Sequence, residues 1–264
     1  RTAEKLFTSL GVNCVMLSDK PDGTNINAAC GSTHLENLIA CVKEKKLDIG
    51  IAFDGDADRV LCVDGNGEVV DGDMIMAILA LDMKARGTLK NNTVVGTIMS
   101  NLGFIRFCEA NDIRFSATKV GDRYVLEEML LEDYVFGGEQ SGHIIFKDFA
   151  TTGDGQLSAV QLLAHIHRSG KKLAELKTVM TKYPQLIVNI RTTDAAKLAF
   201  YTDDDVRAIL DEGKEKLGNR GRLVVRPSGT EPLIRIMAEG EDEAFTEAIA
   251  KQVAERIEEK LKVY

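Results

Sequence analysis

The sequence predicts a protein of the α/β class, with mixed, mainly parallel three-layer α/β domains followed by a small α+β C-terminal domain. Three observations carry that expectation. Helical and strand-like stretches alternate from the start of the chain to about residue 182. The strand-like stretches are short apolar runs that end in loops rich in Gly and charged residues. Near Pro184 the pattern changes to strand, helix, strand, strand, helix, which suits an antiparallel sheet.

Each element has its own signal. Ala3, Leu6, Phe7 and Leu10 follow helical spacing with Arg1 and no capping residue ahead of them, which reads as a chain cut inside a domain. Gly11 ends that helix and residues 12–17 read as a strand. Pro21-Asp22-Gly23-Thr24 forms a turn, and Ser32 or Thr33 is the expected cap of a helix to about residue 46. Residues 48–53 form a short apolar strand running into Asp54, and strand character resumes at 59–63 before the turn Asp64-Gly65-Asn66-Gly67. An acidic loop is thus held between two strands. The spacing then predicts helices over 71–86, 101–110 and 122–131, strands over 93–97, 114–118 and 134–138, and further helices over 154–169 and 173–180. Loops at the C-terminal ends of such strands are available to ligands.

Composition removes several functions. The formal charge of −8, with no long Lys/Arg run, repels phosphate backbones, so no nucleic-acid partner is expected. Aromatic residues are 6% of the chain and Trp is absent, so a bound sugar is held by polar groups rather than by stacking. Cys14, Cys30, Cys41, Cys62 and Cys108 include no C-x-x-C pair and do not suggest a disulfide framework, which fits a reducing compartment. The longest apolar run, residues 74–81, is far short of the roughly 20 residues needed to cross a bilayer. The expectation is a soluble, cytoplasmic protein without a membrane partner.

Four loops offer chemistry. Asp54-Gly55-Asp56-Ala57-Asp58-Arg59 places carboxylates at alternate positions, on one face if extended and convergent on a hard cation such as Mg²⁺ if turned at Gly55. A solvated acidic turn is the alternative. An EF-hand is excluded, because its sixth position would be Arg59 instead of Gly and its twelfth Gly65 instead of Glu. Gly137-Gly138-Glu139-Gln140-Ser141-Gly142-His143 follows an apolar strand; Glu139, Ser141 and His143 suit sugar hydroxyls, and a structural Gly-rich turn is the alternative. Arg226-Pro227-Ser228-Gly229-Thr230-Glu231-Pro232 combines a guanidinium, two hydroxyls and a flexible Gly, the parts of an anion nest, against the alternative of a plain hairpin loop. Lys119-Val120-Gly121-Asp122-Arg123 presents charged groups after a strand, or is simply a helix start with Asp122 at its positive end. His165 and His167 lie two apart on a helix and do not share a face, and His34 carries no signal.

In that order, Asp-Gly-Asp-Ala-Asp-Arg, Gly-Glu-Gln-Ser-Gly-His and Arg-Pro-Ser-Gly-Thr-Glu-Pro resemble the metal, sugar and phosphate loops of the α-D-phosphohexomutase superfamily. Pro21-Asp22-Gly23-Thr24-Asn25-Ile26-Asn27, Cys30-Gly31-Ser32-Thr33-His34, Val120-Gly121-Asp122-Arg123-Tyr124-Val125 and Gln140 are similar to its glucosamine-phosphate branch. The resemblance implies the later part of that family's second domain in residues 1–70, its third in 71–182 and its fourth in 183–264. It also implies interconversion of glucosamine 6-phosphate and glucosamine 1-phosphate through a phosphoserine and a 1,6-bisphosphate, toward UDP-N-acetylglucosamine and cell-wall precursors. Asp54, Asp56 and Asp58 would hold Mg²⁺ and Arg59 would stabilise the transferring group. Glu139, Ser141 and His143 would grip the sugar, while Arg226, Ser228, Gly229 and Thr230 would bind the phosphate that is not reacting. Lys119 and Asp122 are the candidates for proton transfer, since relatives acting on mannose and glucose phosphates tend to carry His at the place of Asp122. The phosphoserine loop, of Ser-His-Asn-Pro type, would lie on an N-terminal domain that this sequence does not contain, so the chain alone is expected to be inactive; a homodimer is among the assemblies allowed. The other readings are a phosphomannomutase or phosphoglucomutase of the same superfamily, a haloacid-dehalogenase-like phosphatase with Asp54 as nucleophile, and a sugar-phosphate-binding module without chemistry.

Overall fold

In the computed structural model, which describes residues 2–229 and 231–264, the apolar runs form three sheets among those residues. The class is mixed α/β with parallel and antiparallel sheets, as the alternation of elements predicts. The chain divides into two units, one reaching from the N-terminus to Ser100 and continuing over Phe104–Thr181, the other comprising Asn101–Gly103 and Lys182–Tyr264.

In the first unit, helix α1 (Thr2–Ser9) buries Phe7 and ends at Gly11, whose φ is +80°. Residues 12–17 are irregular rather than a strand. Their pattern is strand-like, but sheet β1-β2-β3 offers them no ladder, and a strand without a partner leaves its backbone groups to water. Helix α2 (Glu36–Lys45) starts later than expected, with Leu35 at the N-cap, and neither Ser32 nor Thr33 caps it. The Ser32 N–H instead donates to Phe53 O at 3.1 Å, tying this segment to the end of the next strand.

Strands β1 (Ile49–Phe53), β2 (Val60–Asp64) and β3 (Val69–Val70) form an antiparallel sheet in which Phe53 faces Val60, so the acidic loop is the turn of a hairpin. The two residues of β3 are too few to show a period. Helix α3 (Gly72–Ala85) is capped by Asp71, whose carboxylate accepts from Met74 N at 3.1 Å, and is buried nearly all round. Around it follow β4 (Thr93–Thr97), α4 (Leu102–Ala110), β5 (Arg114–Thr118), α5 (Asp122–Leu131), β6 (Phe136–Gly138) and β7 (Ile144–Phe146). Their sheet has the order β5-β4-β6-β7, parallel across β5, β4 and β6, with β7 antiparallel at the edge. β4 is buried at every position, as a central parallel strand covered on both faces should be. Ile75, Ile78, Phe104 and Phe136 belong to the larger core, and Val125, Met129 and Ile145 to a smaller one that includes Val95. Helix α6 (Gly155–Ser169) and the short α7 (Leu173–Leu176) complete the unit. The helix expected over 173–180 shortens to one α turn and a 3₁₀ turn, where the Thr178 hydroxyl donates to Glu175 O and competes with the helical ladder.

In the second unit, β8 (Gln185–Arg191), β10 (Leu233–Gly240) and β9 (Gly221–Pro227) lie side by side in the antiparallel order β8-β10-β9. Val206, Ile209 and Leu217 of α9 (Asp204–Leu217) and Ile249, Val253 and Ile257 of α10 (Glu243–Leu261) pack with Ile234 and Ile236 in one core. One helix was expected between the first two strands, yet α8 (Asp194–Thr202) precedes α9. Asp203 separates them: its backbone is extended and its carboxylate accepts from Asp205 N at 2.9 Å and Val206 N at 3.2 Å, starting a new helix.

Buried Asp64, at the end of β2, tests what holds the first unit together. Burial alone would raise its pKa, but Lys177 Nζ at 2.6 Å and the backbone N–H groups of Glu68 and Asn66 outweigh that and hold it below the usual carboxylate range. A depressed carboxyl contributes stability that is present above the unfolded value of ~3.9 and lost as pH falls through the folded value. Lys177→Met should therefore cost roughly 2–4 kcal/mol at pH 7, and the gap from the parent chain should narrow at pH 3. Urea denaturation at both pH values measures it.

Candidate active site

β1 delivers Asp54 to the mouth of the hairpin, and the chain turns back at once. Ala57 N donates to Asp54 O at 3.2 Å, Ala57 adopts a φ of +61°, and Arg59 N donates to Asp54 Oδ1 at 3.1 Å. One oxygen each from Asp54, Asp56 and Asp58 then lies within 4.8 Å of the others. The turned conformation is thus the one adopted. Two of the three carboxylates face one guanidinium, since Arg59 Nε lies 3.7 Å from Asp54 Oδ2 and 3.8 Å from Asp58 Oδ1. Asp58 Oδ1 is buried and has no hydrogen-bond partner among the described residues. An all-oxygen, net-negative set with an unsatisfied buried acceptor fits a hard divalent cation and not a soft one.

The Glu139 loop, which the resemblance assigns to the sugar, is bonded to this turn through the backbone. Arg59 and His143 form an antiparallel β-bridge, Val60 N donates to Gly142 O at 3.1 Å, and Gly155 N donates to Ala57 O at 2.9 Å. Gly142 has a φ of +92°, and a Cβ there would sit 2.2 Å from Val60 O. Only glycine allows the two loops to approach this closely. Glu139 is half-buried and its Oε1 accepts from Gly121 N at 3.0 Å, which joins the sugar loop to the Lys119 segment. Ser141, Lys119 and Asp122 are exposed; Asp122 is the first residue of α5, and Lys119 Nζ lies 5.8 Å from the Tyr124 ring centroid.

His143 departs from expectation. It is 3% exposed, and both ring nitrogens are engaged, Nδ1 with Asp58 Oδ2 at 3.0 Å and Nε2 as acceptor from Gly153 N at 2.9 Å. Neither nitrogen is left for a sugar hydroxyl. The sequence reading missed Gly153 and the backbone role of Gly121, because an isolated Gly before a helix carries no chemical signal.

In the second unit, Arg226 stands at the end of β9 opposite Arg235. Arg235 pairs with Glu231, whereas no acidic side chain pairs with Arg226 among the described residues. Buried Ser228 closes the loop: its N–H donates to Leu233 O at 2.8 Å and its Oγ accepts from Glu231 N at 3.2 Å. Among the described residues no acceptor takes the Ser228 hydroxyl proton. Gly229 is exposed with open space around its Cα, and Thr230 lies outside the described residues.

The fold is that of the phosphohexomutases. A phosphoglucomutase/phosphomannomutase family protein from Burkholderia thailandensis superposes with a TM-score of 0.82 at 23% identity, over 98% of this chain and 57% of that one. An Aspergillus fumigatus N-acetylphosphoglucosamine mutase, solved with GlcNAc-6P and magnesium, gives 0.68 at 20% identity over 88% and 57%. The chain belongs to the phosphoglucomutase/phosphomannomutase family: residues 1–67 match its alpha/beta/alpha domain II, 71–183 its alpha/beta/alpha domain III and 187–256 its C-terminal domain. It is 49% identical over 259 residues to a phosphoglucosamine mutase of Brevibacillus brevis and 52% identical over 261 residues to one of Ruminiclostridium cellulolyticum. These alignments cover 98% and 99% of the chain but 57% and 58% of the relatives, so the chain spans little more than half their length. Among the described residues, no helix is long and apolar enough to cross a membrane.

Gly142→Ala should destabilise the first unit by more than about 2 kcal/mol, because it adds backbone strain to a contact with no room for a methyl group. Thermal unfolding with the Val60 amide as reporter checks this.

Proposed function

We propose that the chain carries the metal, sugar and phosphate loops of a phosphoglucosamine mutase, which interconverts glucosamine 6-phosphate and glucosamine 1-phosphate. The observation that carries this reading is the convergence of Asp54, Asp56 and Asp58 in a turn bridged to the Glu139 loop at Arg59 and His143. The relatives near 50% identity support the hexosamine substrate over the mannose and glucose phosphates handled elsewhere in the family.

On this reading a phosphoserine transfers its phosphoryl group to O1 of glucosamine 6-phosphate, giving the 1,6-bisphosphate and free serine. After the sugar reorients, the 6-phosphoryl group returns to the serine and glucosamine 1-phosphate leaves. Asp54, Asp56 and Asp58 hold Mg²⁺, which when bound supplies positive charge against the transferring phosphoryl oxygens. Arg59 adds its guanidinium to the same oxygens. Glu139 and Ser141 hold sugar hydroxyls and so fix which oxygen faces the phosphoryl group. Arg226, Ser228, Gly229 and Thr230 bind the phosphate that is not reacting, Arg226 by charge and Ser228 by its free proton. Lys119 and Asp122 are the groups for the proton exchanged with the attacking or leaving sugar oxygen. The serine belongs to a domain in the part of the relatives that this chain does not span, and the three domains here are 1–70, 71–182 and 183–264.

Three outcomes test the reading. Calorimetry should show Mg²⁺ binding by the parent chain and none by Asp56→Ala, and Arg226→Ala should weaken glucosamine 6-phosphate binding about tenfold or more, as loss of a charge-assisted phosphate contact does. In a coupled assay with Mg²⁺ and the 1,6-bisphosphate, the 264-residue chain should show no turnover above buffer. In-line transfer needs a positioned nucleophile, and binding loops alone do not supply one. Clear turnover by the purified chain would mean that a residue here is the nucleophile.

A further inference from the structure

The clamp formed by residues 142 and 155 acts on the trailing limb of the acidic turn, residues 57–60. Its leading limb, residues 53–55, is held from the other side in sequence, by residues 26–32. Ser32 N donates to Phe53 O at 3.1 Å, and Gly31, at a φ of +79°, lies so near that a Cβ there would sit 2.8 Å from Phe53 O and 3.9 Å from Asp54 Cα. A Cβ on Gly55 would in turn meet Ile26 Cδ1 at 2.7 Å and Asn27 Nδ2 at 3.2 Å. Gly55 is not at a left-handed φ; the left-handed residue of the turn is Ala57. Glycine at 55 thus makes room for a packed segment rather than for a bend.

That segment is fastened from within. Asp22 Oδ1 accepts from Thr24 N at 2.8 Å, Thr24 Oγ1 at 2.9 Å and Asn25 N at 2.9 Å. Asn25 Oδ1 accepts from Asp22 N at 3.1 Å, and Asn25 Nδ2 donates to Lys20 O at 3.0 Å. An exposed loop that spends its polar side chains on its own backbone keeps one shape, and that shape lays Ile26 and Asn27 on Gly55.

From this geometry we infer that residues 21–32 brace the acidic turn and that Asp22 is the positioning residue of the brace: by knotting the loop ahead of Ile26 it seats residues 26–31 against residues 53–55 and holds the Asp54 backbone where the three carboxylates converge. The inference rests on Asp54, Asp56 and Asp58 being the metal-binding set. It gives the motif at residues 21–27 a role that acts through Asp54 and requires no contact with the cation.

Two variants loosen the brace and a third keeps it. Asp22→Ala removes the acceptor on which the loop closes, Gly31→Ala sets a methyl group against the Phe53 carbonyl, and Asp22→Asn retains one acceptor oxygen. The measurements are metal-free amide exchange at Ala57 and Arg59, whose N–H groups donate to Asp54 O and Oδ1, and calorimetric titration of the whole chain with Mg²⁺. In Asp22→Ala and Gly31→Ala both amides should exchange about fivefold faster or more, with those of strand β4 unchanged. Mg²⁺ should bind these two about 10–100-fold more weakly, as loss of a supporting partner of metal ligands typically causes, and Asp22→Asn should stay within about threefold of the parent. Exchange at parent rates in both variants, or acceleration shared equally by β4, overturns the brace. Faster exchange with parent-like Mg²⁺ affinity, where Asp56→Ala abolishes binding, overturns the positioning role. If Asp56→Ala itself binds like the parent, the metal assignment has failed and exchange alone decides the brace. Asp22 is exposed, so its replacement leaves the core intact and the test stands should Gly31→Ala not fold.

Discussion

The first unit depends on one short piece of backbone pairing, the bridge between Arg59 and His143 with its neighbouring bond from Val60 N to Gly142 O. A hairpin turn carrying three carboxylates repels itself, and nothing within residues 54–59 except Arg59 offsets that charge. The bridge supplies the missing constraint from outside the turn. It fixes where strand β2 begins, and Gly155 holds the Ala57 carbonyl on the other side. Carboxylates that would otherwise spread into water are thereby kept within reach of one another.

The same device recurs along the site. The Glu139 carboxylate accepts from Gly121 N, Gln140 O accepts from Gly72 N, and Gly142 N donates to Glu139 O, so backbone N–H groups set this loop while the Ser141 side chain stays exposed. In the second unit the Arg226 loop is closed in a comparable way, with Ser228 spending its N–H and its oxygen on loop closure.

Much of this was legible in the sequence, and the misses have physical causes. The hairpin around Asp54–Asp58 was readable because two apolar runs flank an acidic turn, and the central strands of the parallel sheet because burial on both faces makes them continuously apolar. Residues 12–17 were misread because a strand is defined by its partner, which no local pattern contains. The break at Asp203 was missed because Thr202 to Asp205 sits inside a stretch with helical spacing, where a cap looks like one more polar residue. His143 was assigned to the sugar because its loop points to hydroxyl chemistry. Its partner, Asp58, is 85 positions away in the sequence, and only the fold brings them together.

That separation has a kinetic meaning. The hairpin holding Asp54 to Asp58 is a local element, of a kind that typically closes in about a few microseconds, whereas its contacts with residues 142, 143 and 155 are long-range and carry the larger loop-closure cost. The geometry of the acidic turn is therefore a report on the whole unit, since the turn keeps its clamp only in a chain whose two distant segments have come together.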